Sequence, residues 1–289
     1  MTGIGFSGLA AGAMAIIGIA IASPFAWLLR TDDPPVSDPT PLIDACRALF
    51  PNATRNPSAP GGLELVQAGG DRGLCVYGSI ETLSNLDAAL IRSRRFSSII
   101  LRSSGGPVRP WLFFAESLPR RPRTIIVDGL CASSCANYLF PAGREKIVTE
   151  GSLVVWHGGP INDVTAFERI LGDLADEDRQ AARLDFLEIG ERSEQLYRFW
   201  GVNRHLLSDT FGQAPSYDDI LAATNHSASQ VVGYAIPPDV LTACYQIDGL
   251  ERMWHPGDST EVVAAGSGLF ERSWLARLPA GLADRDCAH

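Results

Sequence analysis

Two hydrophobic patterns alternate along most of the chain, one typical of strands and the other of helices. Short aliphatic runs bounded by glycine or small residues predict buried strands at residues 99–101, 124–127, 146–148 and 153–156. Apolar residues at helical spacing predict helices at residues 84–94, 110–118, 136–140 and 166–200, the last with a break near Gly190. Strands that alternate with helices indicate a layered α/β fold with right-handed crossover connections.

The remaining stretches divide the chain into segments. Residues 63–76 have the pattern of a β-hairpin with a glycine-rich turn. Residues 31–60 hold seven of the 19 prolines and predict a linker, with a short helix at residues 42–50 inside it. Residues 246–289 show no clear periodicity and predict a C-terminal appendage. We therefore expect the α/β domain to span residues 61–245.

Residues 1–30 have the pattern of a membrane-targeting segment. Within them, residues 4–29 carry no charge, and a helix of ~20 apolar residues is long enough to cross a bilayer. A cleaved signal peptide is expected to carry Lys or Arg before its apolar region, and this chain has neither there. This favours an uncleaved anchor, although Ala20-Ile21-Ala22 has the small-x-small pattern of a possible cleavage site. We expect membrane attachment through residues 4–29 and a periplasmic or other extracytoplasmic domain.

Length and charge narrow the classes of protein. A chain of 289 residues with 46% hydrophobic residues suits one enzyme-sized domain with a full core and appendages. The net charge of −9 argues against binding to nucleic acid, because a phosphate backbone requires positive side chains to neutralise it.

Residues of the types that form hydrolase active sites follow the ends of three predicted strands. Gly105 and Gly106 end the first, Ser133 follows the second and precedes a short helix, and His157 follows the third. At a strand-to-helix turn, the free N–H groups and the dipole of the helix N-terminus favour developing negative charge. This order of residues favours a hydrolase.

The order and spacing of these motifs resemble those of the superfamily that contains Clp proteases and signal peptide peptidases. Ser104-Gly105-Gly106 resembles the family's oxyanion loop, with serine in place of the usual proline. Ser133 lies four residues after Gly129, which matches the spacing between a glycine and the nucleophile in the family. The resemblance covers residues 61–240. It implies the crotonase-like fold, a layered superhelix of ββα units, and an ATP-independent serine endopeptidase of the cell envelope. Such an enzyme acts on a peptide or protein, needs no cofactor or metal, and can form homo-oligomers.

The resemblance also implies a role for each residue of the site. Ser133 is the implied nucleophile, with Ser134 as its rival, and His157 is the implied general base. The backbone N–H of Gly105 or Gly106, together with that of Ser134, is the implied oxyanion hole. Acyl transfer by a serine and a histidine then follows.

The third member of the implied triad is an aspartate, which fixes the imidazole tautomer and stabilises the imidazolium. The family's spacing places it at Asp219, followed in order of preference by Asp218 and Asp209. Some signal peptide peptidases use a lysine as the base instead. Lys146, the only lysine, lies 13 residues after Ser133 at the start of a predicted strand, which is a poor place for a base.

Six cysteines after a targeting segment permit up to three disulfides in an oxidising compartment. Cys131 and Cys135 flank Ser133, and a bridge between them would lock the turn and help to fix the oxyanion N–H groups. Two buried free thiols are the alternative. A zinc site is not expected, because no Cys/His pair has the spacing of zinc ligands.

Two other functions compete with the peptidase. The first is a non-catalytic scaffold of the same fold that binds peptides or envelope proteins, which the weak match of the aspartate supports. The second is a crotonase-type acyl-CoA enzyme, which also builds its oxyanion hole from backbone N–H groups. That enzyme would need a catalytic glutamate near the nucleophile turn and a patch for the CoA phosphates, and the sequence shows neither.

Overall fold

The computed structural model describes residues 36–93, 95–118, 122, 124–160, 176–210, 231–267 and 274–277. These residues form a mixed α/β fold around a sheet of mainly parallel strands, which confirms the predicted α/β class. The strands are β1 (Gly62–Ala68), β2 (Asp71–Tyr77), β3 (Ser98–Ser103), β4 (Thr124–Ala132), β5 (Glu145–Val148), β6 (Leu153–Val155), β7 (Val231–Ala235), β8 (Arg252–Met253) and β9 (Trp274–Arg277). The helices are α1 (Thr40–Leu49), α2 (Pro51–Arg55), α3 (Asn85–Arg92), α4 (Val108–Ser117), α5 (Ser134–Tyr138), α6 (Asp176–Trp200), α7 (His205–Asp209), α8 (Pro238–Tyr245) and α9 (Ser259–Ser267).

The main sheet brings the ends of β3, β4 and β6 to one edge. β1 and β2 form the predicted antiparallel hairpin, and parallel strands then follow in the order β2-β3-β4-β5-β8. β5 pairs with the first half of β4, whereas β6 pairs with its last three residues, so that Ala132 lies opposite Val155. The carboxyl ends of parallel strands are where open α/β sheets place their sites.

β4 is longer than the aliphatic run at its start. It continues through Gly129 to Ala132, and its register against β3 shifts between Leu101 and Ser103. Gly129 has φ 86°, a conformation that glycine adopts at little cost, and its N–H donates to the hydroxyl of Ser152 at 2.7 Å. The strand therefore ends directly before residue 133 and not at Gly129.

The central strands are buried on both faces, which explains their continuous hydrophobic runs. Residues such as Val76 and Leu101 face a layer formed by α3, α4, α5 and α8. Their neighbours Cys75 and Ile100 face the opposite layer, which α1 and α2 cover. The main core thus lies on the side of the sheet that carries α5.

Residues 36–60, which we expected to be part of a linker, pack onto the second face of the sheet. A disulfide between Cys46 and Cys75 ties α1 to β2. Next to it, Arg47 donates to both carboxylate oxygens of the buried Asp128, at 3.0 Å and 2.5 Å. Polar groups and a covalent bond therefore make the described part of this segment integral to the domain.

The described part of the C-terminal segment also completes the fold. β8 extends the main sheet by pairing with β5, and β9 forms a second, two-stranded parallel sheet with β7. Val262 of α9 packs against Val155 of β6 in a small separate cluster. Residues 246–267 and 274–277 are therefore structural elements of the domain, although their sequence shows no clear periodicity.

One predicted break is wrong, because α6 runs without interruption from Asp176 to Trp200. Gly190 lies buried in its interior, where a glycine weakens a helix by about 1 kcal/mol but does not end it. The membrane segment predicted at residues 4–29 lies outside the described residues. None of the described helices is both long enough and apolar enough to cross a membrane.

Candidate active site

Ser133 occupies a strained turn between β4 and α5. Its φ is 57° and its ψ is −126°, which only glycine adopts readily. The strain is maintained by the surroundings, since the N–H of Ser133 donates to the carbonyl of Val155 on β6 at 2.9 Å. Within the described residues Gln246 is the only other non-glycine residue with positive φ. Backbone strain of this kind concentrates at functional sites.

His157 reaches Ser133 because their two strands are neighbours. β6 ends with Val155, directly opposite Ala132, and Trp156 and His157 continue past that level. Nε2 of His157 lies 2.6 Å from Oγ of Ser133. This is the contact that a serine nucleophile needs with its general base.

The environment of His157 favours the neutral imidazole. The residue is exposed to solvent, but protein atoms crowd its ring. This desolvation lowers the pKa of His157 from its usual value, and a weaker hydrogen bond with its own backbone acts in the opposite direction. A neutral imidazole can accept the proton of Ser133, so the lowered pKa suits a general base.

The pH dependence of activity follows from this shift. Activity requires the deprotonated ring, so the rate is expected to rise as pH increases through the pKa of His157. Because burial lowers this pKa, the midpoint of the rise should lie below ~6.5, the value of an unperturbed histidine. A pH profile of kcat/KM measures it, and a midpoint above 8 would contradict a desolvated histidine as the base.

Two serine hydroxyls hold the glycine loop that follows β3. Oγ of Ser103 donates to the carbonyl of Gly78 at 2.6 Å and accepts the N–H of Gly105 at 3.0 Å. Oγ of Ser134 donates to the carbonyl of Gly106 at 2.9 Å. The loop is therefore fixed both to the sheet and to the nucleophile helix.

These bonds identify which backbone donors remain for an oxyanion. The N–H of Gly105 is engaged by Ser103, whereas those of Gly106 and Ser134 make no hydrogen bond to any described residue. Gly105 lies against the turn, since a Cβ built on it would be 3.0 Å from the nitrogen of Ser134. Of the predicted oxyanion residues, the geometry thus favours Gly106 and Ser134 as the donors.

The predicted disulfide between Cys131 and Cys135 is present and encloses the nucleophile. Both cysteines are fully buried, so the bridge is shielded from solvent. It joins the end of β4 to the second residue of α5, on either side of the strained Ser133. The bridge therefore restrains the turn whose conformation sets the position of Oγ.

Disulfide mapping tests this bridge in the protein itself. Protein isolated with thiols blocked should yield a digest fragment in which Cys131 and Cys135 are joined. A second joined pair, Cys46 with Cys75, serves as the internal control. Alkylation of both Cys131 and Cys135 in the isolated protein would contradict the bridge and the oxidising compartment that it suggests.

The structure describes only one of the three candidate aspartates. Asp219 and Asp218 lie outside the described residues. Asp209 ends α7, where it accepts a hydrogen bond from the hydroxyl of Tyr245 at 3.0 Å, and no bond joins it to His157 within the described part of the chain. The geometry therefore gives no support to Asp209 as the orienting acid.

Two further residues, Tyr234 and Lys146, have well-defined contacts. Tyr234 of β7 exchanges two backbone hydrogen bonds with Trp156, directly before His157. Lys146 is fully buried, and its Nζ donates to the carbonyls of Gly143 and Asp248. This places the only lysine in a structural role.

Sequence reasoning missed Ser103 and Asn137. Ser103 is a buried hydroxyl at the end of an aliphatic strand, and Asn137 is an amide in a short, otherwise largely apolar helix. Each is a polar residue at a position where the local pattern predicts an apolar one, and that is the signal that marks them.

Comparisons with known proteins add no assignment. No family model matches the chain, and no curated protein matches it. Within the described residues no group of three His, Cys, Asp or Glu side chains could hold a metal ion.

Proposed function

We propose that this protein is a serine hydrolase that cleaves peptide bonds, related to the Clp protease and signal peptide peptidase superfamily. The observation that carries the proposal is the 2.6 Å contact between Oγ of Ser133 and Nε2 of His157. It occurs at a strained strand-to-helix turn, beside the N–H groups of Gly106 and Ser134, which make no hydrogen bond to any described residue. A serine that merely capped a helix would have no need of a histidine at this distance or of a strained backbone.

The proposed mechanism is acyl transfer. His157 accepts the proton of Ser133, whose oxygen then attacks the peptide carbonyl carbon. The N–H groups of Gly106 and Ser134 stabilise the resulting oxyanion. The protonated His157 gives its proton to the leaving amine as the peptide bond breaks, and a water molecule activated by His157 then hydrolyses the ester to regenerate Ser133.

The order of the site along the chain supports the relationship to this superfamily. A glycine loop after one parallel strand, a serine after the next and a histidine after a third are neighbours at one edge of the sheet. We accordingly propose that this α/β fold is a crotonase-like superhelix. We retain Asp219 as the proposed third member of the triad.

We also propose that the enzyme lies outside the cytosol. Residues 4–29 are the proposed membrane anchor. The described domain contains the disulfides Cys46–Cys75 and Cys131–Cys135, and persistent disulfides are rare in a reducing cytosol. We therefore propose an extracytoplasmic domain that acts on peptides or proteins of the cell envelope.

Labelling with a fluorophosphonate tests the nucleophile. The probe should modify the purified protein at Ser133, because only a serine activated by a base reacts with it at an appreciable rate. Ser133→Ala should abolish the label and leave the unfolding temperature nearly unchanged, since the change removes one small hydroxyl. The modified residue is identified by mass spectrometry of the digest.

The rival serine provides the control. Ser134→Ala removes the bond to Gly106 but leaves the hydroxyl of Ser133, so the label should persist at a reduced rate. Label on Ser134 in the wild-type protein would show that the nucleophile is assigned to the wrong residue. A folded protein that takes no label at all would instead favour the non-catalytic scaffold.

A further inference from the structure

Asn137 connects Ser133, the proposed nucleophile, to the loop that follows His157. It lies four residues after Ser133 on α5 and is only 2% exposed. Its backbone N–H donates to the carbonyl of Ser133 at 2.9 Å, and its side-chain Nδ2 donates to the carbonyl of Gly158 at 2.9 Å. Its own carbonyl accepts the hydroxyl of Tyr197 from α6 at 2.9 Å.

An amide is a costly side chain at this position. Oδ1 of Asn137 is buried and has no hydrogen-bond partner in the described part of the chain. Burying a polar oxygen without a partner costs free energy that a leucine of similar size would avoid. The bond from Nδ2 to Gly158 is therefore the feature that distinguishes asparagine from an apolar residue here.

The loop that receives this bond has little rigidity of its own. Gly158 and Gly159 follow His157 directly, and Gly158 has φ 92°. Glycines restrict the backbone least, so the loop needs an external contact to keep one conformation. A Cβ built on Gly159 would lie 3.0 Å from Nδ2 of Asn137, which shows how closely the loop packs against the amide.

We propose that Asn137 is a positioning residue that holds the carbonyl of Gly158 and thereby keeps His157 at hydrogen-bond distance from Ser133. The inference rests on the proposed hydrolase function and adds a residue to it. Because a displacement of about 1 Å at a reacting group can cost roughly 100-fold in rate, one buried bond at this point has a large effect on catalysis.

The first test replaces Asn137 with leucine, which keeps the volume and removes the donor. The saturating rate of fluorophosphonate labelling at Ser133 should fall by about 10- to 100-fold, with little change in the probe concentration for half-saturation. The unfolding temperature should change little, because removal of the buried unpaired oxygen offsets the loss of the hydrogen bond to Gly158. A loss of rate without a loss of stability separates a positioning role from a structural one.

Asn203 is the matched control. Its Nδ2 donates to the carbonyl of Cys244 at 3.0 Å, a contact between distant parts of the chain like that of Asn137, but the bond lies on the loop between α6 and α7. Asn203→Leu should lower the unfolding temperature and leave the labelling rate of Ser133 unchanged.

A second variant gives a readout even where the leucine variant does not fold. Asn137→Asp has nearly the same shape and places a carboxylate beside the loop of His157. A carboxylate has no proton to donate to the carbonyl of Gly158, so at high pH, where the new side chain is ionised, the labelling rate should fall by about 10- to 100-fold, as in Asn137→Leu. Asn203→Asp should leave the labelling rate unchanged at the same pH.

The outcomes separate the two proposals. A labelled wild-type protein whose folded Asn137→Leu variant reacts at the full rate, or whose Asn137→Asp variant keeps the full rate at high pH, overturns the positioning role and leaves the hydrolase intact. A folded wild-type protein without label at Ser133 overturns the hydrolase and this inference with it.

Discussion

Replacing His157 with alanine is expected to lower peptide turnover by about 10³- to 10⁶-fold, the range that follows loss of the base from a serine hydrolase. Without an acceptor at 2.6 Å, the hydroxyl of Ser133 keeps its proton and remains a poor nucleophile. His157 lies at an exposed position after the end of β6, so the variant should fold normally. Steady-state kinetics on a peptide substrate that Ser133→Ala does not cleave measures the effect.

Lys146 provides the control, because a serine–lysine enzyme would show the reverse result. Lys146→Met removes two buried hydrogen bonds to backbone carbonyls and should reduce stability, while activity of the folded variant stays near that of the wild type. Full activity in His157→Ala, together with loss of activity in a folded Lys146→Met, would show that the proposed base is wrong.

The sequence was sufficient to predict those site residues that directly follow the ends of strands. Parallel strands bring their carboxyl ends to one edge, so the motifs at Gly105, Ser133 and His157 were expected to meet there. The hairpin and the helices α3 and α4 were predictable for a similar reason, since their hydrophobic spacing is regular. Local pattern was sufficient because each of these features depends on a few consecutive residues.

Contacts between distant residues were not predictable in this way. The bonds of Ser103 to Gly78 and of Asn137 to Gly158 join residues more than 20 positions apart, and nothing in the local pattern indicates the partner. The same holds for residues 36–60, whose prolines favour a linker. A disulfide and the ion pair with Asp128 override that local preference.

Replacing Gly105 with alanine is expected to reduce kcat by about 100- to 1,000-fold, as loss of an oxyanion donor does. The residue has φ 96°, and a Cβ would lie 2.7 Å from the carbonyl oxygen of Ala132 and 2.8 Å from Cβ of Ser133. Since real Cβ atoms do not approach backbone this closely, the loop must move away from the nucleophile. Its movement carries the N–H of Gly106 away from the N–H of Ser134, so the oxyanion is no longer held by both.

The strain of an alanine at positive φ must be separated from this displacement. Gly70 has a similar φ of 89°, and a Cβ on it would meet nothing within 4 Å. Gly70→Ala should therefore cost about 1–2 kcal/mol of folding stability and leave kcat unchanged. Gly105→Ala should lose at least the same folding stability, and its kcat should fall as well. The midpoint of its pH profile, which His157 determines, should stay at the wild-type value. If the two variants lose stability equally and both keep the wild-type kcat, the loop after β3 does not form the oxyanion hole.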